Sequence, residues 1–344
     1  MELDVARDLF RAEPGWLNTA SYGLPPAPAW DALQEALAQW RVGKTSWWGW
    51  GEATGRARES FARLCGVPSS EVAVGAQVSQ MIALIAGSLA PGTRVLVTDE
   101  EFTSNLFPWL VQRERGVEVR TASASGLADA IDDATDVVAF SLVQSASGEV
   151  ADVDAIIEAA RVHGALTVVD ASQACGWLPV DASRFDALVC VAYKWLMSPR
   201  GTGFLVTTPE LRERIAPAQA GWWAGEDPRT SYYGPPLRLA ADARRLDLSP
   251  AWFSWVGTAP ALELIEQVGV ERIRDHDVGL ANRFRAGLGL PPGDSAIVSV
   301  DAPGAEERLE AAGVRAAVRG GLLRASFHLY TTEADVDHAL DVLT

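Results

Sequence analysis

Short, continuously apolar runs alternate with helical patterns between about residue 70 and residue 207. Runs that are apolar on both faces are typical of strands buried on both sides of a sheet. The alternation therefore predicts an α/β fold, in which helices cover both faces of a mostly parallel sheet. The strand-like runs occupy residues 94–98, 117–121, 137–141, 166–170, 187–193 and 203–207, and the helical patterns include 105–115 and 152–164.

The pattern changes after residue 220. Residues 221–248 are rich in Gly, Pro, Trp and Tyr and predict a long irregular connection, and loops of this length in compact domains are often functional. A helical stretch over 258–287 follows, and then short strand and helix patterns continue to the end of the chain. This tail predicts a second, smaller α+β domain. We assign residues 15–257 to the large domain, and residues 1–14 and 258–344 to the small one.

Composition argues against several classes of function. Of the 344 residues, 48% are hydrophobic and 22% are charged, which is ordinary for a globular protein with a sizeable core. A net charge of −16 argues against nucleic acid or an anionic membrane as a partner. No apolar run approaches the roughly 20 residues that span a bilayer, and the acidic N-terminus lacks the apolar core of a signal peptide, so we expect a cytoplasmic protein. Three irregularly spaced cysteines, Cys65, Cys175 and Cys190, indicate neither a disulfide framework nor a metal site.

The residues with the clearest chemical meaning are Asp170, at the end of one apolar run, and Lys194, 24 residues later at the end of the next. A buried lysine loses its charge readily and can form an imine with an aldehyde, and a carboxylate at the same sheet edge can keep a pyridinium nitrogen protonated. Together these two demands describe pyridoxal phosphate. Gln173 is a candidate donor to the cofactor's phenolic oxygen. Taken singly, the three residues would read as a strand-end cap, a surface lysine and a turn side chain.

A phosphate site is predicted where AVGAQVSQMIALIAGSL turns from a loop into a helix. Backbone amides at a helix N-terminus bind phosphate without charged side chains, and Ala76, Gln77 and Val78 are the candidates. An ordinary helix cap would show the same pattern. Tyr193 is a candidate to reach a phosphate oxygen, with a buried aromatic residue as the alternative.

Aromatic and basic residues indicate how a ring and a substrate would be held. Phe102 follows the run at 94–98 and is a candidate to stack on the pyridine ring, with a core phenylalanine as the alternative. Arg324, within an apolar run, is a candidate to bind a substrate carboxylate, with an internal salt bridge as the alternative. Two aromatic clusters suggest either a pocket for a flat or cationic side chain or simple packing. Their members are Trp47, Trp48, Trp50, Trp222, Trp223, Tyr232 and Tyr233.

Six motifs occur in an order and approximate spacing typical of one family: DEEFTSNLFPW, LVQSASGE, VVDASQACG, YKWLMSPRGTGF, WVGTAPAL and LLRASFHLYTTEADVD. Over nearly its whole length the chain resembles the class V aminotransferase family of fold-type-I pyridoxal phosphate enzymes. That family includes cysteine desulfurases, kynureninases, isopenicillin N epimerase-like proteins and ergothioneine-pathway C–S lyases. The resemblance implies a mostly parallel seven-stranded sheet flanked by helices, a small C-terminal α+β domain and a homodimer.

The resemblance also implies a role for each matching residue. Lys194 is the expected Schiff-base lysine and proton shuttle, Asp170 the pyridinium partner and Gln173 the contact of the phenolic oxygen. Arg324 is expected to hold the substrate carboxylate. The resemblance further implies Phe102 on the ring, Gln77 and Val78 in the phosphate turn, Thr258 reaching a phosphate across a dimer interface, and Ser145 near cofactor and substrate. Asn18, Tyr22, Trp47 and Trp48 are further candidates for contacts with the substrate.

Two departures from the family pattern shape the functional hypothesis. Many members have Ser-x-His before the lysine, whereas this chain has Val191-Ala192-Tyr193. The hydroxyl and histidine contacts to phosphate are therefore missing, and Tyr193 looks like the kynureninase arrangement. No cysteine follows Cys190, so persulfide transfer from a desulfurase-type loop is not expected.

The leading hypothesis is a C–S lyase that eliminates the β-substituent of a cysteine conjugate and yields pyruvate and ammonia. Hercynylcysteine sulfoxide is the suggested substrate, because its trimethylammonium group suits an aromatic pocket. An aminotransferase or epimerase of specialised metabolism is the first alternative. A kynureninase-like hydrolase, indicated by Phe102 and Tyr193, is the second. A catalytically silent binding protein is the third, and the presence of Lys194 argues against it.

Overall fold

The computed structural model describes residues 1–344 as a large α/β layer structure with a small α+β unit beside it. The strands are β1 Val72–Gly75, β2 Arg94–Thr98, β3 Glu118–Ala122, β4 Val137–Ser141, β5 Leu166–Asp170, β6 Ala187–Val191, β7 Gly203–Thr207, β8 Ile297–Val300, β9 Ala317–Arg319 and β10 Leu322–Ser326. The helices are α1 Leu3–Arg7, α2 Ala27–Arg41, α3 Trp47–Leu64, α4 Val78–Gly87, α5 Thr103–Val111, α6 Leu127–Ala130, α7 Val153–His163, α8 Pro209–Arg214, α9 Trp252–Val268, α10 Val270–Gly287, α11 Ala305–Ala311 and α12 Glu333–Leu343.

The large sheet has seven strands in the order β1-β7-β6-β5-β4-β2-β3. Neighbouring strands from β6 to β3 pair in parallel, and β7 runs antiparallel to both β6 and β1. The predicted mostly parallel sheet is therefore confirmed. In the register of the sheet Ser141 lies opposite Asp170, and Asp170 lies opposite Val189. The carboxyl ends of β4, β5 and β6 thus meet at one edge, which is where ligands bind in open α/β sheets.

The central strands are apolar throughout because both of their faces are covered. Leu188 belongs to the larger hydrophobic cluster, which contains residues of α3 and α9, while its neighbour Val189 belongs to a second cluster that contains residues of α4. Successive side chains of a strand point to opposite faces, so such a strand needs apolar residues at every position. Every residue of β4, β6 and β7 is buried.

The small unit has its own antiparallel sheet, in the order β8-β10-β9, and its own apolar cluster. The N-terminal segment joins it, because Asn18 forms a bridge with Ser326 and Leu17 is buried in the same cluster. The predicted helical stretch 258–287 is wrong in its bounds. It consists of α9 and α10, separated by Gly269 at φ 92, a conformation that glycine adopts without strain. The boundary between the two domains stays a prediction.

Strand β1, strand β9 and helix α3 were not predicted from the pattern, although they bear on the site. The long connection over 221–248 is irregular apart from two short 3₁₀ turns, as the sequence predicts. No helix of the chain combines the length and the apolar character that crossing a membrane requires.

Candidate active site

Lys194 lies three residues beyond the end of β6, at the same sheet edge as Asp170. Its side chain is buried, with 7% of the residue exposed. Charged groups such as Asp170 and Arg324 lie near the amine, but no group forms a hydrogen bond with it. Burial lowers the pKa of Lys194 to about 8, an effect that Asp170 opposes and Arg324 reinforces. The chain contains only one other lysine, Lys44, which is exposed. Lys194 is therefore the one buried amine available for covalent chemistry.

Asp170 is buried at the end of β5 and is held by the turn that follows. One of its carboxylate oxygens accepts a hydrogen bond from the Ser172 amide at 2.9 Å. The Ser172 hydroxyl in turn accepts from the Val191 amide at 3.1 Å, which ties this turn to the end of β6. Burial raises the pKa of Asp170, and the positive charge of Lys194 opposes that rise. A buried carboxylate without a paired arginine is suited to a cationic ligand nitrogen.

Gln173 ties three parts of the site together. Its amide nitrogen donates to the Ala20 carbonyl at 3.0 Å and to the Ser145 hydroxyl at 3.2 Å. Its amide oxygen accepts from the indole nitrogen of Trp195 at 2.8 Å. The structure therefore places Gln173 and Ser145 beside Lys194, and their predicted contacts with cofactor and substrate stay predictions.

Phe102 precedes α5 and is 46% exposed, which excludes the core-phenylalanine alternative. Its ring centroid lies 5.5 Å from the amine of Lys194. No sequence pattern indicated the residue that anchors it, Glu101. This residue is buried and accepts from the Phe102 amide at 3.1 Å and from the Thr98 hydroxyl at 2.9 Å. Glu101 also accepts from the hydroxyl and the amide of Ser141. These bonds fix the backbone on which the exposed ring faces the lysine.

Arg324 is 1% exposed in β10 and has no carboxylate partner. Its guanidinium donates to the carbonyl and hydroxyl of Ser145 and to the Ser21 hydroxyl at 2.9 Å. Its Nε is buried without any hydrogen-bond partner. Burial lowers the pKa of Arg324 to about 10, and the charge of Arg319 adds to this. The internal salt bridge that the sequence left open is therefore wrong, and the arginine is available to an anionic ligand.

The N-terminal residues 18–23 pack against the segment that carries the lysine, which the sequence pattern did not indicate. Asn18 accepts from the Ser21 hydroxyl at 2.7 Å and so positions the group that contacts Arg324. Gly23 donates to the Tyr193 carbonyl at 2.9 Å, and a Cβ at this position would lie 2.1 Å from the Lys194 carbonyl oxygen, so only glycine fits. Tyr22 is 52% exposed and its ring packs on Trp16.

The predicted phosphate turn opens α4. Gln77 is extended, at φ −152 and ψ 153, and no side chain caps the helix. Ala76 is a correction: its amide donates to the Gln80 side chain at 3.0 Å and is not free for a ligand. The turn left for an anion is that of Gln77 and Val78. Gln80 also donates to Gln219 at 2.6 Å, which ties this turn to the start of the long connection.

Thr258 is a second correction. It lies within α9, is fully buried, and its hydroxyl bonds to the Ser254 carbonyl at 2.8 Å and to the Thr202 hydroxyl at 3.1 Å. A hydroxyl enclosed in its own chain does not reach a phosphate of a second subunit. The cause is the early start of α9 at Trp252, which turns Thr258 into an interior helix position.

The two predicted tryptophan clusters come together in space. Trp47 stacks on Trp48 with ring centroids 3.9 Å apart and meets Trp222 and Trp223 edge-on. Beside them is a cleft of about 460 Å³ that is lined by aromatic, acidic and basic residues: Trp47, Trp48, Trp223, Glu52, Glu226, Asp227, Arg229 and Arg244. None of the residues around Lys194 lines this cleft, so within one chain the predicted substrate role of Trp47 and Trp48 is not brought to the lysine.

A buried pair from the small unit supports the lysine segment. His328 is fully buried, and its Nδ1 lies 2.9 Å from the Asp277 carboxylate. Its Nε2 donates at 2.9 Å to the carbonyl of Trp195, the residue after Lys194. Burial raises the pKa of Asp277. The motif around Arg324 contained His328, but its spacing gave no sign that Asp277, on another helix, would be its partner.

Comparison with known proteins identifies the family. Residues 48–309 match the sequence model of one protein family, aminotransferase class-V. The chain belongs to this family. It is 32% identical to the isopenicillin N epimerase of Streptomyces clavuligerus, over 84% of each chain. It is 30% identical to the uncharacterized aminotransferase YcbU of Bacillus subtilis (strain 168), over 94% of this chain and 92% of the relative.

A solved structure shares the fold. The cystine C–S lyase C-DES, in complex with its product cysteine persulfide, superposes with a TM-score of 0.86 at 21% identity, over 96% of this chain and 97% of that one. The class V family consists of pyridoxal phosphate-dependent enzymes that act on amino acids. This protein is therefore an enzyme that acts on amino acids, and its cofactor is pyridoxal phosphate.

The residues around Lys194 fit this cofactor. The lysine amine has no hydrogen-bond partner, Asp170 has no paired cation in contact, and the Nε of Arg324 is an unpartnered buried donor. Lys194 would hold the aldehyde carbon, Asp170 the ring nitrogen, and the turn at Gln77 the phosphate. When bound, pyridoxal phosphate draws electrons from the α-carbon of an amino acid.

Proposed function

We propose that this enzyme is a C–S lyase that cleaves the β-carbon–sulfur bond of a cysteine conjugate and yields pyruvate and ammonia. The observation that supports an amino-acid substrate is the state of Arg324. Its guanidinium is buried, and no carboxylate of its own chain pairs with it. An α-carboxylate supplies the missing charge and takes the free donors in a two-pronged pair.

Lys194 is the base in this proposal. It is a buried amine with its pKa lowered to about 8, so about a tenth of it is uncharged at pH 7 and able to take the α-proton of the substrate, a far larger share than at the ordinary lysine pKa. All four histidines are engaged elsewhere, in contacts with Asp133, Thr331, Asp277 and Ala312. With a single base on one face, proton removal leads more directly to loss of a β-substituent than to inversion, which a base on each face would serve. The sulfur then departs with the bonding electron pair.

Persulfide transfer to the protein receives no support. Cys65, Cys175 and Cys190 are all buried, and no cysteine lies in the segment that leads to Arg324. The departing sulfur species would accordingly leave the enzyme free. This separates the proposal from the desulfurase reaction named for several relatives, such as the probable cysteine desulfurase of Methanothermobacter thermautotrophicus.

Hercynylcysteine sulfoxide is the substrate to test first. Its trimethylammonium group suits the faces of Trp47, Trp48 and Trp223 in the cleft, whose lining contains three acidic and two basic residues. Because none of the residues around Lys194 lines that cleft in one chain, this part of the proposal requires a homodimer in which a second copy brings the cleft to the lysine. Trp47→Ala is expected to weaken substrate affinity, while Trp40→Ala, at an exposed tryptophan of α2 that does not line the cleft, is the control. Equal affinity of the two variants would refute the cation pocket.

The deciding experiment measures the pyruvate that the cofactor-loaded enzyme releases from hercynylcysteine sulfoxide. We expect pyruvate with wild type and with Lys44→Ala, and none with Lys194→Ala. The chain's two lysines make this a matched pair. A Lys194-dependent chromophore without pyruvate would reject the lyase and keep the cofactor.

Epimerisation or transamination is the second candidate, and the similarity to isopenicillin N epimerase and YcbU favours it. Formation of the opposite stereoisomer at the α-carbon, with deuterium taken up from the solvent and without pyruvate, would indicate epimerisation. Formation of glutamate from 2-oxoglutarate would indicate transamination.

A further inference from the structure

Arg200 lies within the motif YKWLMSPRGTGF, but neither the sequence analysis nor the proposed mechanism gives it a role. It lies six residues after Lys194, it is exposed, and it forms no ion pair with any acid of the chain. Its guanidinium lies over the ring of Tyr193, 4.7 Å from the ring centroid. A guanidinium stacked on an aromatic face keeps its N–H donors free at its edge. Arg200 is thus held in place without being neutralised.

The sheet brings Arg200 to the phosphate turn. Gly75, at the end of β1, pairs with Gly203, at the start of the antiparallel strand β7. Three residues after Gly75 comes Val78 at the start of α4, and three residues before Gly203 comes Arg200. Both segments therefore leave the sheet at the same edge, beside each other. Arg200 is also fixed through its backbone, because its carbonyl accepts from the Ser254 hydroxyl at 2.8 Å.

The phosphate turn needs such a cation. Residues 75–81 carry no basic side chain, and Lys194 is committed to the aldehyde carbon of the cofactor. Helix amides alone supply about half a unit charge, whereas a phosphate monoester carries between one and two. Arg200 also adds its charge to the field at Lys194 and Tyr193.

We propose that Arg200 binds the phosphate group of pyridoxal phosphate, next to the amides of Gln77 and Val78, with Tyr193 as the platform that orients it. The proposal depends on the cofactor and not on the substrate, so it stands or falls independently of the C–S lyase.

The test compares two ligands that differ only in the phosphate. The full chain, stripped of cofactor, is titrated with pyridoxal phosphate and separately with pyridoxal, and binding is followed by quenching of tryptophan fluorescence. Arg200→Gln is expected to raise the Kd for pyridoxal phosphate about 10- to 100-fold and to leave the Kd for pyridoxal within about twofold. Arg200→Lys keeps the charge but loses the planar stack, so its Kd is expected to lie between those of wild type and Arg200→Gln.

Arg41→Gln is the matched control, since Arg41 is also exposed and unpaired but lies at the far end of α2. Its Kd values are expected to equal those of wild type. Equal losses for both ligands in Arg200→Gln would show that Arg200 supports the fold of the site and would overturn the proposal. Unchanged Kd values together with a raised KM for the amino acid would assign Arg200 to the substrate and would also overturn it.

Discussion

Two buried arginines in this enzyme have opposite surroundings. Arg58, on α3, donates to both oxygens of the Asp247 carboxylate, at 3.1 and 2.6 Å, and to the Val72 carbonyl. Asp247 is itself fully buried and also accepts from the Val74 amide. Arg324, which is more deeply buried, meets two serines and a carbonyl, and its Nε has no partner. Arg58, which supports the fold, is therefore paired with an acid of its own chain, whereas Arg324, near Lys194, has no such acid.

The difference teaches how to separate a structural charge from a functional one. Taking an ion from water into a protein interior costs several kcal/mol, and a pair with good geometry offsets much of that cost. Arg58 and Asp247 offset each other within the chain. Arg324 and Lys194 each lack a paired acid in contact, and their lowered pKa values record the cost. Such a region is completed by a ligand, and the four predictions below test that division.

The largest expected effect is on the structural side. Arg58→Leu leaves Asp247 buried without its partner, so we expect the free energy of unfolding to fall by about 3–5 kcal/mol. Urea denaturation measures it. The control is Arg63→Leu on the same helix, whose ion pair with Glu266 is exposed and is expected to contribute about 0–1 kcal/mol. If Arg58→Leu lowered the free energy of unfolding by less than Arg63→Leu does, the Arg58–Asp247 pair would not stabilise the fold.

The next effect concerns Lys194 and its pH dependence in the apoprotein. The folded pKa is about 8 and the ordinary value is 10.5, so between these values the unfolded chain binds more protons than the folded one. Stability therefore rises with pH across this window, by up to about 3 kcal/mol, and the full gain is present only above the unfolded pKa.

Lys194→Met removes this group, so the difference in stability between wild type and variant should shrink as the pH rises from 8 to 10. Urea denaturation at several pH values measures the difference. Lys44→Met, at the exposed lysine, should leave the pH profile of wild type unchanged. Parallel profiles for wild type and Lys194→Met would contradict the lowered pKa.

These predictions rest on features that the sequence revealed unevenly. Four of the six strand predictions match the observed bounds, because strands buried on both faces must be apolar at every position. The same rule placed Asp170 and Lys194 at one edge, since Asp170 ends one such strand and Lys194 follows the next. The contacts of Ser21 with Arg324, of Asp277 with His328 and of the Arg200 carbonyl with Ser254 join segments that are distant in sequence, and no local pattern records them. Thr258 was misplaced because the apolar face of α9 extends six residues further toward the N-terminus than predicted.

The third effect lies on the functional side. Arg324→Leu removes the carboxylate contact, and we expect kcat/KM for the amino acid to fall about 10- to 100-fold, or about 1.5–3 kcal/mol. Because no acid is left unpaired, the free energy of unfolding should stay the same or increase, in contrast to Arg58→Leu. Steady-state kinetics and urea denaturation on one preparation measure both. Arg56→Leu, an exposed arginine paired with Glu263, is the control. A large loss of stability without a loss in kcat/KM would make Arg324 a structural residue.

The smallest effect concerns Ser21, whose hydroxyl accepts from Arg324 and donates to Asn18. Ser21→Ala removes one uncharged acceptor from the guanidinium, and a hydrogen bond of this kind contributes about 1 kcal/mol. If the hydroxyl orients Arg324 for a carboxylate, KM should rise about fivefold while kcat and the free energy of unfolding change little. Ser145→Ala, which removes another of the hydroxyls around Arg324 and also contacts Gln173, should have an effect at least as large. A fall in the free energy of unfolding without a change in KM would mean that the serines stabilise buried Arg324 in place of an acid. Arg324 would then differ from Arg58 only in how strongly its own chain stabilises it.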